Sequence, residues 1–466
     1  MRGLGWSWCL LVVVSVANGC AYSASKGVSG WLMVETEHIQ LRTNVSSKRA
    51  IELASELQGI RDGLAGFLLK CGSQGDADRL PVTVLPRSAF TDFVPAGSEG
   101  AYRAWPVTWL GGYEGQILVP EELSLLATQV FQHELMHHLV ANCLPRAPRW
   151  LNEGLASFAE TAIVERGRVR LGIPPYVLLR TRAARESALY KGIRVTVMSL
   201  LELPSIERIL AIPDDQFWTS HEMSRTTENY AASWAMVHLL ENGAVDLRPR
   251  FAAYLAALRR SDKEPSALFA EHFREVPLQE RLTRYLVAGQ FPYNEGPVRL
   301  PRRLAPRAHP MSAGDTHLHL AWLWFGADHD ADARGRALEH LAEAKRDATS
   351  RPRAHVLAAS ELAFTDRADQ AEREVSQGLR TAPNHPELLH AHMELLLHRK
   401  QDASAAARRL RPVARTANQL CALARLAFAH GDAGTARALA IRGLKMKPSA
   451  RACRDFRLVV RSAAGS

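Results

Sequence analysis

The sequence predicts an α+β domain followed by an all-α domain of helical repeats. Strand and helix patterns mix between Trp31 and Leu118, and apolar spacing typical of helices dominates from Leu123 onward. After residue 313, helix pairs recur at a regular interval. At 466 residues the chain also exceeds one ordinary hydrophobic core, so we predict at least two domains.

The first domain is predicted to span residues 31–290. Its amino-terminal half should combine strands with one long helix, and its second half should be helical apart from one short strand. The predicted elements are strands near Trp31–Arg42, at Leu80–Leu85 and at Arg168–Leu171, and helices at Ser46–Leu69, Trp150–Ile163, Pro175–Leu189, Glu228–Glu241, Arg248–Arg259 and Glu264–Phe273.

Residues 291–312 are rich in proline and arginine and are predicted to be a linker. In the following residues 313–466, helix pairs recur at about 31 to 34 residues, and a last helix, Ala450–Val460, should cap them. The clearest pair, Ala422–Pro448, resembles a tetratricopeptide repeat. A stack of such repeats has a concave surface suited to a protein partner, although a purely stabilising appendage is the alternative.

The most specific motif is His133-Glu134-Leu135-Met136-His137, which lies within a helical apolar pattern. Residues four apart share one face of a helix, so His133 and His137 can bind one ion, and Glu134 can reach it from the side. Zinc accepts imidazole nitrogens and carboxylate oxygens, and in catalytic sites it keeps one position open for water. The motif therefore predicts a hydrolytic site with one Zn²⁺ per chain.

A second acidic helix follows at short range, in Trp150-Leu151-Asn152-Glu153-Gly154-Leu155-Ala156. Two interpretations of Glu153 are possible: a first-turn carboxylate that complements the helix dipole, or a third metal ligand. The histidine motif shortly before it favours the ligand.

Together these two motifs resemble the gluzincin metallopeptidases, and more closely the peptidase MA-like family of bacterial envelope proteins. Weaker similarity extends to the block that begins at Trp31 and to Asn229-Tyr230-Ala231-Ala232-Ser233-Trp234, so that it covers roughly residues 31 to 290. The resemblance implies a zincin-like fold, Glu153 as the third zinc ligand and peptide-bond hydrolysis.

This chain departs from the aminopeptidases of that group. The GxMEN motif, which captures a free amino terminus, is missing, and the corresponding strand Gly111–Val119 offers only Glu114, for which an exposed strand carboxylate is the favoured interpretation. If that strand lay at the sheet edge, it could align an extended polypeptide substrate. An endopeptidase is therefore the predicted class.

In the expected mechanism, zinc lowers the pKa of its bound water to about 7 and Glu134 accepts the proton. The oxyanion needs a second electrophile, and the resemblance suggests Tyr230, which is predicted to open a downstream helix. The alternative is a tyrosine that only packs at a helix start.

Other polar residues near the motifs carry less weight. His138 points away from the predicted site, and His38 and His238 are predicted to be hydrogen-bonded structural histidines. Glu160 shares a helical face with Glu153, and it is either a residue that orients a ligand or an exposed carboxylate.

The composition is that of a folded protein, with 47% hydrophobic and 23% charged residues. The net charge of +10 does not indicate nucleic acid, because stacking aromatics are not interleaved with the arginines, which favours solvated helix faces. An anionic membrane surface is the more natural partner for such a charge.

The first 20 residues are predicted to be a signal peptide. A basic start and an apolar stretch precede Ala17-Asn18-Gly19-Cys20, which resembles a bacterial lipobox with Cys20 as the lipidated residue. Residues 21–30 would then be a tether, and the protein would be exported to the bacterial cell envelope. Ordinary secretory cleavage without lipidation is the alternative.

An oxidising compartment favours disulfides among the four cysteines that would remain. We predict Cys71–Cys143 in the first domain and Cys421–Cys453 in the repeats, with four buried thiols as the alternative.

Two functions remain possible from the sequence. The first is a zinc metallopeptidase of the envelope. The second is a binding or assembly lipoprotein that acts through its repeats and keeps the metallopeptidase fold with little catalytic use.

Overall fold

The computed structural model describes residues 29–69, 79–95, 98–103, 115–175, 203–213, 216–217, 223–261, 263–298, 306–327 and 332–446. Within them the chain is an α+β protein with a mixed amino-terminal sheet and a helical second half, as the sequence predicts. No helix of this described part is both long and apolar enough to cross a membrane.

The elements up to residue 171 form the sheet and the two motif helices. They are β1 Leu32–Glu35, β2 Ile39–Thr43, α1 Ser47–Leu64 with a π-helical end at Ala65–Leu69, β3 Leu80–Leu85, α2 Arg87–Phe90, β4 Ala101–Arg103, β5 Gln116–Pro120, α3 Leu125–Cys143, α4 Arg149–Ala159, β6 Ile163–Glu165 and β7 Arg168–Leu171.

The later elements are mostly helices. They are α5 Ile206–Ala211, α6 Met223–His238 with a π-helical end at Leu239–Gly243, α7 Leu247–Arg260, α8 Pro265–Phe273, α9 Leu278–Ala288, β8 Asn294–Pro297, β9 Arg307–Pro310, α10 Ala313–Phe325, α11 Ala333–Arg346, α12 Arg351–Phe364, α13 Ala368–Thr381, α14 Pro386–His398, α15 Ser404–Leu410, α16 Ala417–Ala429 and α17 Ala433–Lys445.

The main sheet has six strands in the order β4-β5-β3-β2-β1-β9, and a small sheet has the order β6-β7-β8. Strands β2, β3 and β5 are parallel, and the other pairs are antiparallel. The segment 291–312, predicted as a linker, instead contributes β8 and β9. Its prolines are compatible with β9 because that strand lies at the sheet edge, where Pro310 pairs with Leu32.

The two faces of the main sheet contact different parts of the chain. Alternate residues of β3 show this: Val82 and Val84 belong to the core that also contains residues of α1 and α3. Leu85 points to the other side and belongs to a core built largely from α10 and later helices. The sheet is therefore the middle of three layers.

The carboxyl-terminal helices form pairs, α10 with α11, α12 with α13, α14 with α15 and α16 with α17. This arrangement is compatible with the predicted repeats, and the tetratricopeptide class stays a prediction. The predicted capping helix Ala450–Val460 lies outside the described residues, as does most of the predicted helix Pro175–Leu189.

The cysteines are only partly covered by the described residues. Cys143, at the end of α3, is disulfide-bonded, while its predicted partner Cys71 lies outside the described part. Cys421 is a buried thiol in α16, so the predicted disulfide between Cys421 and Cys453 is wrong.

Candidate metal centre

Two helices joined by a short turn carry the predicted ligands. The hydroxyl of Ser124 caps α3 by accepting a hydrogen bond from the amide of Ala127 at 3.0 Å. Pro148 precedes the first residue of α4, where its fixed backbone angle favours a helix start. His133 and His137 thus lie one turn apart on α3, and Glu153 lies in the second turn of α4.

The three predicted ligands come together in the structure. One donor atom from each of His133, His137 and Glu153 lies within 4.8 Å of the other two, so the group could hold a metal ion. The Oε2 atom of Glu153 is 3.7 Å from His133 Nε2 and 3.4 Å from His137 Nε2. The three donors therefore converge on one point between α3 and α4.

Each imidazole is oriented by a hydrogen bond of Nδ1, the ring nitrogen that faces away from Glu153. His133 Nδ1 is 2.8 Å from Glu160 Oε2, and His137 Nδ1 is 3.0 Å from Asn152 Oδ1. Because both partners are oxygen acceptors, each Nδ1 carries the hydrogen, and in a neutral ring the Nε2 lone pair then faces Glu153.

These contacts distinguish between the two interpretations of Glu160, and they identify Asn152 as a further residue of the site. Glu160 orients a predicted ligand instead of being an exposed helix carboxylate. The sequence interpretation assigned no role to Asn152, although its place directly before Glu153 in the motif was a usable signal, because neighbouring residues on a helix start can reach the same site.

The surroundings of the Glu153 carboxylate indicate whether a cation would be stable between the three donors. Its side chain is fully buried, and neither of its oxygens has a hydrogen-bond partner within the described structure. The nearest positive group, Arg149 Nη1, is 3.6 Å from Oε1. Because a buried ionised carboxylate without hydrogen bonds is costly, a divalent cation between these three donors would compensate for its charge.

The electrostatics of the cluster favour positive charge. Burial opposes protonation of His133, but the carboxylates of Glu153 and Glu160 outweigh it and raise the pKa of His133 to about 10. Burial likewise opposes ionisation of Glu153, yet the two imidazoles outweigh it and lower the pKa of Glu153 to about 2. A site that attracts a proton this strongly also attracts a metal cation.

The predicted base, Glu134, lies beside the cluster on α3 and is half-buried. Its pKa is raised, chiefly by burial and against the influence of the two histidines. A raised pKa makes this carboxylate a stronger base, which suits proton transfer near neutral pH.

Tyr230 also reaches the cluster, but from a different position in its helix. Its ring centroid is 6.1 Å from that of His133. The prediction that Tyr230 opens its helix is wrong, because α6 begins at Met223 and Tyr230 lies about two turns inside it. The apolar spacing begins only after Tyr230, and this hid the polar first turns.

Gly154 allows α4 and α6 to pack closely behind the site. A Cβ atom at this position would lie 2.6 Å from the backbone oxygen of Ser233 and 2.7 Å from Val237 Cγ2. The glycine of the second motif is therefore explained by helix packing, which fixes α4, the helix of Glu153, against α6, the helix of Tyr230.

The remaining histidines do not join the cluster. His238 is fully buried, with Nε2 at 2.7 Å from the Gly172 oxygen and Nδ1 at 2.8 Å from the Tyr285 hydroxyl, so its predicted structural role is confirmed. His138 accepts a hydrogen bond from Asn142 Nδ2 through Nε2. His38 is buried, and burial is the main cause that lowers its pKa to about 4.

The strand next to α3 is not at the sheet edge. The predicted substrate strand contributes β5, which lies between β3 and β4, so β4 is the outer strand of the described sheet. Glu114 and Cys20, the predicted lipidation residue, lie outside the described residues.

Comparison with known proteins adds one match. A family model described as a protein of unknown function, DUF1570, matches residues 127–266, which include the three clustered ligands, Glu134 and Tyr230. No curated protein matches the chain. No solved structure matches it either. The chain is thus similar, over its metal cluster and the helices that follow, to a family without an assigned activity.

Proposed function

We propose that this chain is a zinc-dependent metallopeptidase of the gluzincin type, an endopeptidase that hydrolyses polypeptides at the bacterial cell envelope. One observation carries the proposal: the buried carboxylate of Glu153 faces two imidazoles whose Nδ1 atoms are both occupied from behind. Hydrogen bonds that orient the histidine ligands in this way are typical of metal sites.

His133, His137 and Glu153 would hold the zinc. A zinc ion bound there would act as a Lewis acid and increase the acidity of water at neutral pH. Glu134 takes a proton from the attacking water on its carboxylate and later gives it to the amine nitrogen that leaves when the C–N bond breaks. Its half-buried position and raised pKa support both transfers.

Tyr230 and β4 would position the substrate. The hydroxyl of Tyr230 would donate a hydrogen bond to the oxyanion, and its ring already lies beside His133. Strand β4, which contacts α3, has no strand on its outer side in the described sheet. Its main-chain groups could therefore pair with an extended polypeptide, as an endopeptidase requires.

The location of the enzyme follows from the amino-terminal sequence. Lipidation at Cys20 would tether the protein to a membrane of the envelope, and the paired helices after residue 313 would recruit a protein substrate or partner. Both statements are part of the proposal.

A peptide-library digest tests the activity. The wild-type chain, loaded with zinc, should cleave peptides internally, and Glu134→Gln should lose about 10²–10⁴ of the rate because it removes the base. Glu134→Gln should still contain one zinc per chain, whereas Glu153→Gln should lose zinc, because only the second change removes a predicted ligand.

Three outcomes would contradict the proposal. Activity that persists in Glu134→Gln would exclude this mechanism. Zinc content that does not change in Glu153→Gln would exclude this site. A wild-type chain that holds zinc but cleaves nothing would favour the binding or assembly protein.

A further inference from the structure

The positive charge of the chain is concentrated at its carboxyl-terminal end. Residues 399–466 contain 15 lysines and arginines but only 3 acidic residues, whereas the whole chain has 58 and 48. The last 68 residues therefore account for more than the whole net charge of +10, and the rest of the chain is slightly acidic. Such asymmetry indicates an anionic partner for this end.

Two arginines of this end form ion pairs, Arg399 with Asp369 and Glu372, and Arg425 with Glu394, while most of its other described basic side chains are exposed. Seven basic side chains in or next to α15 and α17 are exposed: Arg408, Arg409, Arg411, Arg415, Arg437, Arg442 and Lys445. The two acidic residues of the described segment lie at helix starts: Asp432 caps α17 by accepting a hydrogen bond from the Thr435 amide, and Asp402, just before α15, accepts one from the Ser404 amide. The seven exposed basic side chains thus create a positive surface.

These basic side chains lie on one side of the helix pairs. The first helices of successive pairs contact one another, α10 with α12 and α12 with α14, which places the first helices on the inner side of the stack. Helices α15 and α17 are second helices and so lie on the outer side. Arg442 of α17 donates a hydrogen bond at 3.0 Å to the oxygen of Ala414, in the segment between α15 and α16, which links α17 to the preceding helix pair.

Apolar side chains are exposed within the same region. Ile441 lies next to Arg442 on α17 and is 42% exposed, and Met446, directly after α17, is 39% exposed. A face that mixes arginines with exposed aliphatic side chains suits the boundary between phospholipid headgroups and acyl chains. Nucleic acid would call for stacking aromatics, and a peptide would be expected on the inner side of the repeats.

We propose that the outer face of α15 and α17 is a docking surface for anionic phospholipid membranes. The guanidinium groups bind lipid phosphates, and Ile441 and Met446 enter the headgroup layer. This contact is separate from lipidation at Cys20, and it does not depend on catalysis. One lipid anchor plus a basic surface would fix the orientation of the chain on the membrane.

Vesicle binding tests the proposal. The chain without the predicted signal peptide, from residue 21, is mixed with vesicles of phosphatidylglycerol and phosphatidylcholine, and with vesicles of phosphatidylcholine alone. Binding should require phosphatidylglycerol and weaken as salt rises. The triple variant R411Q/R437Q/K445Q should bind at least about tenfold more weakly. Ile441→Ser should weaken binding without changing its salt dependence.

The matched control removes the same charge elsewhere. R208Q/R260Q/R274Q changes three exposed arginines of the first domain and should bind vesicles like the wild type. An equal loss in both triple variants would overturn the proposal, since net charge alone would then explain binding. Equal binding to neutral vesicles would overturn it, and so would preferential binding to polyglutamate or DNA, which would assign the surface to an acidic polymer.

Discussion

The two faces of the main sheet are covered by helices that lie at very different distances from its strands in the sequence. One face, the front, packs against α1 and α3, which come directly before or after its strands. The other face, the back, packs against α10, and there Thr83 Oγ1 lies 3.2 Å from His319 Nε2, 236 residues later. Local chain segments therefore build the metal centre, and a distant segment supports the sheet behind it.

The back of the sheet is a well-packed and specific interface. The Thr83 hydroxyl donates to Gln116 Oε1 at 2.6 Å and so accepts from His319, whose ring also contacts Trp31 edge-on at 5.1 Å. Phe93 and Trp324 pack with ring centroids 4.6 Å apart. The helices that follow β9 therefore complete the core on this side of the sheet.

We expect the largest effect on stability from a truncation that removes the helices behind the sheet. A chain that ends at residue 298 lacks β9 and α10, so it exposes the edge of β1 and the apolar residues on the back of the sheet. We expect it to aggregate or to lack a cooperative unfolding transition, because burial of that face is lost. Circular dichroism and limited proteolysis would measure this.

A shorter truncation serves as the control. A chain that ends at residue 415 keeps β9 and α10–α15 and should still unfold cooperatively, because contacts in a helical stack are mainly between neighbours. If the chain ending at residue 298 were instead folded and bound zinc, the two faces would be independent and the back interface unimportant.

Gly154→Ala tests whether the candidate metal centre also depends on the packing of α4 against α6, which is distant in the sequence. The new methyl group would meet the Ser233 oxygen at 2.6 Å, and that backbone atom cannot move aside without shifting α6. We expect a loss of about 3 kcal/mol in the free energy of unfolding, together with weaker zinc binding, since Glu153 is the adjacent residue. Urea denaturation and zinc titration would measure the two effects.

Gly66→Ala is the matched control for this change. Gly66 lies in the helical end of α1, and no atom lies within 4 Å of the position that its Cβ would take. Alanine there should leave stability unchanged or raise it by about 0.5 kcal/mol. Similar losses in both variants would mean that helix packing at Gly154 has no special role.

The sequence predicts that His133, His137 and Glu153 cluster, because short-range periodicity determines their positions. His133 and His137 are one turn apart, and Glu153 follows after a turn fixed by prolines, so α3 and α4 alone bring them together. Asn152 in α4 and Glu160 directly after α4 orient the two histidines. The place of Tyr230 in its helix was predicted wrongly, because polar residues in the first turns of α6 carry no apolar period.

The fold was predicted less completely, and the missing parts are those stabilised at long range. Strand β3 and helix α8 match their predictions because apolar period and flanking signals agree. Strand β9, with the sequence Arg-Ala-His-Pro, has no strand signal of its own and forms because it pairs with β1. The contact of α10 with the sheet was also not predictable, since a buried helix face does not specify its partner.

The pH dependence of stability is the finest test of the back interface. Burial, and then the nearby charge of Arg42, lowers the pKa of His319 well below its ordinary value. As the pH falls, His319 binds a proton in the unfolded chain but not in the folded chain. The contribution of His319 to the free energy of unfolding is therefore present above about pH 6.5 and is lost as the pH falls. His319→Gln keeps a polar partner for Thr83 but cannot titrate. Below pH 6.5 its stability should fall by about 1.4 kcal/mol less per pH unit than that of the wild type.

Urea denaturation at pH 7 and pH 5 would measure this difference, with His309→Gln, an exposed position on β9, as the control for the substitution itself. His238 is also buried in the first domain, and burial is the main cause that lowers its pKa to about 4, so the wild type should lose stability in acid even without the back interface. Only the part removed by His319→Gln belongs to the contact between sheet and repeats. An unchanged pH dependence in that variant would show that His319 has the same pKa in the folded and the unfolded chain, and would contradict the burial of its ring at the back of the sheet.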